Sequence, residues 1–151
     1  MCAIGEGVTG FAVGDRVVAA PHTSWLAGAP TPDSVGTVLG LTVEGMLAET
    51  VNMPEATLLH LPSTISFEEG ASLPCAGLSA WSSLMGGPGK FNVMPGSTVL
   101  TQGTGGVSMF AVQFAEAMGC RVISTTSSAA KMEMLRGLGA DDVINYVETP
   151  E

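Results

Sequence analysis

The chain has 151 residues, 46% of them hydrophobic, and its formal net charge is −9. Its apolar content excludes a disordered chain, and its five lysines and arginines are too few and too scattered for the clustered basic surface that nucleic-acid binding requires. No apolar run reaches about 18 residues, the length of a membrane helix, and the N-terminus lacks the basic and apolar regions of a signal peptide. We therefore expect a soluble, cytoplasmic protein that binds neither nucleic acid nor membranes.

Residues 1–62 are rich in Gly, Pro, Val and Thr, and they predict short β segments joined by loops. The segment "VGDRVVA" has the pattern of a strand that is entered through a Gly-Asp turn. Further short strands are predicted around Gly45 and Pro54. Residues 24–37 contain two prolines and show no clear period, so we predict a loop there.

A helical region follows Pro62. Ser66 stands three residues before Glu69, which is the spacing of a capping box at a helix N-terminus. Apolar and small residues then recur at helical spacing, but Pro74 interrupts them, and a proline ring cannot lie inside a helix without a kink. We therefore predict two helices that meet at Pro74, followed by a loop over 86–97.

The remaining segment alternates between strands and helices. Strands are predicted over 97–103, 120–126 and 141–146, and helices over 105–118 and 128–138. The apolar residues on one side of the first of these helices are Val107, Phe110, Ala111, Phe114 and Met118. The order βαβαβ predicts an α/β fold and is the half-unit of a doubly wound parallel sheet.

A glycine-rich turn, "QGTGGVS", joins the first predicted strand of this segment to its first helix. Gly103 and Gly105 allow positive φ and let the backbone approach a pyrophosphate, while the helix N-terminus supplies free N–H groups and the positive end of its dipole. The third glycine of the G-x-G-x-x-G pattern is replaced by Ser108, which is small enough for close packing but is an imperfect match. The turn therefore predicts a dinucleotide site.

The end of the second strand of the segment indicates which dinucleotide binds. An NAD site usually has Asp or Glu there, about 20 residues after the first glycine. The stretch "ISTTSSAAK" has no acid, and it offers the hydroxyls of residues 125–128 and the positive charge of Lys131. Hydroxyls and a lysine would hold a 2′-phosphate that a carboxylate would repel, so we predict NADP(H). An alternative is that Ser127 or Ser128 serves only as a helix N-cap; both roles are compatible.

With these motifs, the chain resembles the medium-chain dehydrogenase/reductase superfamily, in particular its zinc-free, quinone oxidoreductase-like branch, many members of which are named zinc-type alcohol dehydrogenase-like. The resemblance is carried by "GEGVTGFAVGDRVVA", "GMLAETVNMPEATLLHLPSTISFEEGASLPCAGLSAWSSL", "PGSTVLTQGTGGVSMFAVQFAEAMGCRVISTTSS" and "KMEMLRGLGADDVINY". It implies part of a GroES-like β domain over 1–62 and the first half of a Rossmann-type nucleotide-binding domain over 63–151. Members of the family are well over twice as long, so we expect a chain that is shortened at both ends.

The resemblance also implies roles for single residues. The glycine turn would hold the pyrophosphate, Ser127 and Lys131 would contact the adenosine phosphate, and Tyr146 would lie beside it. The residues expected to bind NADP are Gly103, Thr104, Gly105, Gly106, Val107, Ser127, Lys131 and Tyr146.

No metal site is expected. The three cysteines are widely spaced and form neither a disulfide framework nor a CxxC zinc motif. The resemblance places Cys75 at the position of a catalytic zinc ligand in zinc-binding relatives, but catalytic zinc needs three protein ligands. We therefore expect Cys75 to be a small buried apolar residue.

The first functional hypothesis is a zinc-independent, NADP(H)-dependent reductase of a C=C or C=O bond in a small apolar substrate of the quinone, enone or enoyl type. An alternative is a homologue that performs non-redox chemistry, such as cyclisation, isomerisation or dehydration of an apolar metabolite, with His22 and Asp33 as general acid and base. His22 is equally compatible with a solvated loop histidine. A third hypothesis is a non-catalytic nucleotide-binding pseudoenzyme. Because a half-sheet leaves open strand edges, we also expect a homo-oligomer.

Overall fold

The computed structural model describes residues 1–86 and 92–149. The chain divides into two compact units, Met1–Pro74 and Cys75–Glu151. The domain boundary predicted between residues 62 and 63 stays a prediction, and residues 87–91 of the loop predicted over 86–97 lie outside the described residues. No helix in the described ranges is long and apolar enough to cross a membrane.

The first unit contains a two-stranded antiparallel sheet, in which β1 (Val17–Ala19) pairs with β2 (Leu58–His60). The turn before β1 is closed by Asp15, whose Oδ2 accepts a hydrogen bond of 2.8 Å from the N–H of Ala12. This is the turn that the Gly-Asp pair predicted. A 3₁₀ turn over Glu55–Thr57 leads into β2.

The segment predicted as a loop over 24–37 contains a short helix, α1 (Pro32–Val35), so the prediction is wrong at these residues. The helix forms because Thr31 caps it. The Oγ1 of Thr31 accepts a hydrogen bond of 3.1 Å from the N–H of Ser34, and the Oγ of Ser34 accepts one of 2.8 Å from the N–H of Thr31. A proline at the first helical position presets φ for the turn. A helix this short shows no periodicity, and its caps are its only signal in the sequence.

Two further helices are connected by a wider helical turn. Helix α2 (Phe67–Ser72) is capped by Ser66, which forms the predicted capping box with Glu69. The chain then passes through a π-helical turn at Leu73–Gly77 and continues as α3 (Leu78–Met85). Pro74 therefore separates two helices, as predicted, but the helical path is not broken there because the wider turn accommodates the ring and the missing N–H.

The second unit adds three strands and two helices to α3. They are β3 (Thr98–Gln102), α4 (Gly106–Ala117), β4 (Arg121–Thr126), α5 (Ala129–Gly137) and β5 (Asp142–Asn145). The strands are parallel and lie in the order β3-β4-β5, which confirms the predicted βαβαβ half of a doubly wound sheet. Helix α4 packs on β3 and β4, and α5 packs on β4 and β5.

The core of the second unit is formed between this sheet and its helices. Val112 of α4, Val122 of β4 and Leu135 of α5 are fully buried. The core also holds a pair of hydroxyls on neighbouring strands: the side chains of Thr101 and Ser124 are buried and share a hydrogen bond of 2.7 Å. A hydroxyl in such a place needs a partner, because a buried polar group without one is costly.

Only some of the residues that were predicted to form the apolar side of α4 pack against the core. Ala111, Phe114 and Met118 pack against the core as expected, whereas Val107 is 43% exposed. Val107 lies in the first turn of α4, next to the glycine turn. The end of the helix at the glycine turn is therefore accessible to solvent.

Candidate functional site

The glycine turn lies where the pattern predicted it, between the end of β3 and the start of α4. Gly103 has a φ of +77°, in the left-handed region that favours glycine. Its N–H donates a hydrogen bond of 3.0 Å to the carbonyl oxygen of Thr125, which attaches the turn to β4. Gly105 is extended, with φ −79° and ψ 170°, and is the N-cap of α4.

The first backbone amides of α4 have no hydrogen-bond partner among the described residues. Gly105 makes no side-chain capping bond, and within 1–86 and 92–149 no oxygen accepts a hydrogen bond from the N–H groups of Gly106, Val107 or Ser108. A Cβ built on Gly105 would meet no atom within 4 Å. Unpaired N–H groups at the positive end of a helix dipole favour the binding of an anion.

Ser108 replaces the third glycine without loss of the turn. Its Oγ donates a hydrogen bond of 2.9 Å to the carbonyl oxygen of Gln102, the last residue of β3. A separate close contact of α4 occurs at Gly106, where a Cβ would lie 3.1 Å from the Cβ of Ala76. The role of Gly106 in packing had no signal in the local sequence, because Ala76 is 30 residues away along the chain.

The hydroxyls at the end of β4 have different roles. Thr125 Oγ1 accepts a bond of 3.4 Å from the N–H of Gly103, and the buried Thr126 Oγ1 accepts one of 3.2 Å from the N–H of Ser128. Both therefore satisfy backbone amides. Ser128 is the N-cap of α5 by position but forms no capping bond with its side chain. Ser127, next to it, is exposed.

Lys131 reaches back across the turn. Its Nζ donates a hydrogen bond of 3.0 Å to the Oγ1 of Thr104, the residue between Gly103 and Gly105. A positive charge is thereby held at Thr104, the residue before the N-cap of α4. The sequence contained both residues as candidate cofactor contacts, but it held no sign that they contact each other.

Tyr146 directly follows β5, and its N–H donates a hydrogen bond of 3.1 Å to the carbonyl oxygen of Thr126. Its side chain is exposed. Because the carboxyl ends of parallel strands meet at one edge of a sheet, Tyr146, Ser127 and the glycine turn lie along that edge. The structure thus brings together the residues that were predicted to bind a dinucleotide.

The two candidate acid–base residues of the first unit are not paired. His22 is half-buried, its ring meets that of Trp25 edge-on at 5.6 Å, and its Nδ1 is buried with no hydrogen-bond partner in the described part of the chain. Asp33 is exposed in α1, where its carbonyl oxygen accepts a bond of 3.0 Å from Ser24 Oγ. No hydrogen bond or ion pair between described residues links His22 to Asp33. Their catalytic roles stay a prediction.

The prediction that Cys75 is buried is wrong. Its thiol is exposed, and so is that of Cys2, whereas Cys120 is buried. Cys75 lies in the π-helical turn, in which Gly77 is the buried member. Among residues 1–86 and 92–149, no three His, Cys, Asp or Glu side chains come close enough together to hold a metal ion.

Two family models match different parts of the chain. The model of the alcohol dehydrogenase GroES-like domain matches residues 2–63, and that of the zinc-binding dehydrogenase matches residues 106–151. A zinc-type alcohol dehydrogenase-like protein of Schizosaccharomyces pombe is 45% identical over 148 residues, which are 98% of this chain and 42% of that protein. The chain thus spans about two fifths of the length of the curated relatives that it matches.

Two solved structures show the same fold. A structure titled NAD-dependent alcohol dehydrogenase is 39% identical, with a TM-score of 0.82, over 99% of this chain and 44% of that one. The Escherichia coli quinone oxidoreductase in complex with NADPH is 27% identical, with a TM-score of 0.71, over 98% of this chain and 39% of that one. The chain belongs to the medium-chain dehydrogenase/reductase superfamily, in its alcohol dehydrogenase-like and quinone oxidoreductase-like branch.

Proposed function

We propose that the protein is an NADP(H)-dependent oxidoreductase that reduces a C=C or C=O bond of a small apolar substrate, of the quinone, enone or enoyl type, without a catalytic zinc ion. The observation that carries the proposal is the cation at the glycine turn: Lys131 Nζ lies 3.0 Å from Thr104 Oγ1, in the turn that leads to the amides of α4 without a partner among the described residues. This arrangement suits an anionic cofactor with more than one phosphate group.

The residues of the turn fit the pyrophosphate of a dinucleotide. The absence of a Cβ at Gly105 leaves room for an oxygen atom to approach the N–H groups of Gly106, Val107 and Ser108. These groups would donate hydrogen bonds to the pyrophosphate, and the helix dipole would favour its charge. When bound, the nicotinamide supplies the hydride, so the protein contributes position and electrostatics.

The preference for NADP(H) over NAD(H) rests on charge. The end of β4 carries hydroxyls and is followed by Lys131, and residues 121–132 contain no acidic side chain that would bond the ribose hydroxyls of NAD. Ser127 and Lys131 would hold the 2′-phosphate, and Tyr146 would lie beside the adenosine. One structural relative is titled NAD-dependent and another was solved with NADPH, so the family alone does not decide between the two cofactors.

Zinc independence is part of the proposal for a chemical reason. A catalytic zinc ion needs three protein ligands, and the part of the chain that the structure describes brings no three suitable side chains together. The metal content of the purified protein, measured by mass spectrometry, tests this directly: one equivalent of zinc that resists mild chelation would contradict it.

The experiment for the cofactor is a titration of the protein with NADPH and with NADH, followed by nicotinamide fluorescence. We expect tighter binding of NADPH, and we expect Lys131→Ala to weaken NADPH much more than NADH. Arg136→Ala is the matched control, because it removes an equal charge from the exposed side of the same helix. Equal affinity for the two cofactors would overturn the NADP preference, and no binding of either would overturn the oxidoreductase proposal as a whole.

The activity is tested by oxidation of NADPH in the presence of quinones, enones and enoyl thioesters.

A second candidate function is non-redox chemistry of an apolar metabolite. It is favoured by His22, whose buried Nδ1 lacks a partner in the described ranges. It predicts turnover without NADPH that is lost in His22→Phe. A protein that binds NADPH but turns over none of these substrates would be the non-catalytic nucleotide-binding module.

A further inference from the structure

Thr104 and Lys131 come from two different crossovers of the second unit. Thr104 lies in the glycine turn between β3 and α4, whereas Lys131 lies in the first turn of α5, 27 residues further along the chain. Their hydrogen bond of 3.0 Å is therefore formed only when both β-α connections have folded into place. Among the side-chain hydrogen bonds of the described residues, it is the one that joins the glycine turn to α5.

We propose that Thr104 is a positioning residue for Lys131, and that its hydroxyl thereby contributes to selectivity for 2′-phosphorylated nucleotides. The inference rests on the proposed function and deepens it. A lysine side chain is long and flexible, so an exposed ammonium group without a partner samples many positions. The hydroxyl of Thr104 accepts one of its hydrogen bonds and holds it at the edge of the sheet where the adenosine ribose would lie.

The hydroxyls of Ser108, Thr125 and Thr126 are not available for this role. Ser108 Oγ donates to the carbonyl oxygen of Gln102, and Thr125 Oγ1 and Thr126 Oγ1 accept bonds from backbone amides. Thr104 differs because its side chain is bonded to a charged group rather than to the backbone. A hydrogen bond to a charged group is stronger than one between neutral groups, and here it also restricts where the charge lies.

The expected effect is selective and modest. Both side chains are accessible to solvent, and exposed pairs of this kind contribute little, so we expect Thr104→Val to weaken 2′-phosphate recognition about threefold. A nucleotide without a 2′-phosphate should bind Thr104→Val as tightly as it binds the unchanged protein. Thr104→Ser keeps the hydroxyl and should restore the selectivity.

The test uses the full chain and two probes that do not need a nicotinamide pocket: adenosine 2′,5′-bisphosphate and adenosine 5′-monophosphate. Their dissociation constants are measured by calorimetry for the unchanged protein, Thr104→Val, Thr104→Ser, Lys131→Met and the double variant Thr104→Val/Lys131→Met. Thr98→Val is the matched control, because Thr98 is an exposed threonine at the other end of β3. Circular dichroism confirms that each variant is folded.

Support for the proposal is a loss of bisphosphate affinity in Thr104→Val that is absent in Thr104→Ser and Thr98→Val, and absent when Lys131→Met is already present. Equal losses for both probes, or a loss that persists in the Lys131→Met background, would mean that Thr104 acts on the nucleotide or the turn directly, and would overturn it. Unchanged selectivity in Thr104→Val would also overturn it and leave the proposed function intact. No binding of either probe to the unchanged protein would overturn both.

Discussion

Gly106 and Ala76 approach each other closely: a Cβ built on Gly106 would lie 3.1 Å from the Cβ of Ala76, which is tighter than an ordinary van der Waals contact. The contact joins the first residue of α4 to the turn that precedes α3. It holds the start of α4 against its neighbour, at the point where the unpaired amides begin. The glycine that the family pattern assigns to phosphate binding therefore also has a packing role.

Gly106→Ala tests that packing role. An added methyl group at 3.1 Å is closer than ordinary van der Waals contact, so α4 or the turn before α3 must shift. We expect the free energy of unfolding to fall by about 1 kcal/mol, the lower end of the cost of overpacking. Urea unfolding followed by circular dichroism measures this free energy. A variant as stable as the unchanged protein would show that the turn before α3 can move without an energetic cost.

Gly105→Ala is the complementary change, because the new Cβ would meet nothing within 4 Å and the backbone at Gly105 is extended. Stability should fall only slightly, because alanine is a poorer N-cap residue than glycine. The methyl group would instead stand in the path of an anion that approaches the amides of α4. Loss of one hydrogen bond to a charged phosphate corresponds to about 1.5 kcal/mol, or roughly tenfold in Kd. NADPH titration of Gly105→Ala and Gly106→Ala separates the effect on phosphate binding from the effect on packing. Undiminished affinity of Gly105→Ala for NADPH would mean that the pyrophosphate binds elsewhere.

Thr101 and Ser124 should show the asymmetry of a buried hydrogen-bonded pair. Thr101→Val removes one partner and leaves the hydroxyl of Ser124 buried and unpaired, at a cost of about 1–3 kcal/mol. In the double variant Thr101→Val/Ser124→Ala, neither hydroxyl remains. We expect it to be destabilised by less than the sum of the two single variants in urea unfolding. Additive losses would mean that the hydrogen bond itself contributes nothing to stability.

The open edges of the sheet are expected to support a homo-oligomer. In the described residues, β3 and β5 each pair on one side only. Sedimentation velocity at micromolar concentration should show a species heavier than the monomer. A lysine on an edge strand discourages pairing, so Ile144→Lys in β5 should shift the protein towards monomer, whereas Val147→Lys, just beyond the strand, should not. A single monomeric species for the unchanged protein would contradict this expectation.

The fold of the second unit could be predicted because its signals are local. The strand runs that include Val99, Val122 and Val143, the glycine turn and the helical periods each lie within a few consecutive residues, and the connections are short. The capping box at Ser66 and the interruption at Pro74 were readable for the same reason. These signals did not predict the form of the interruption at Pro74, because a π-helical turn depends on how the flanking helices pack.

Contacts between distant parts of the chain could not be predicted. The pairs Thr104–Lys131 and Gly106–Ala76 join residues 27 and 30 positions apart, and neither has a counterpart in local periodicity. The exposure of Cys75 was missed because free cysteines are buried on average, whereas burial at one position depends on the turn geometry. The positions of the candidate residues along the edge of the sheet could therefore be predicted, but the contacts among them could not.

The amide of Gly103 is bonded to β4, whereas those of residues 106–108 are not bonded within the described chain. In heavy water, these neighbouring amides should therefore exchange their hydrogens at very different rates, slowly at Gly103 and quickly at the start of α4. The amide of Gly103 thus serves as an internal reference for exchange at residues 106–108. A bound phosphate group would slow exchange at 106–108 and leave Gly103 as it was, so exchange rates would report occupancy of the turn even where no reaction takes place.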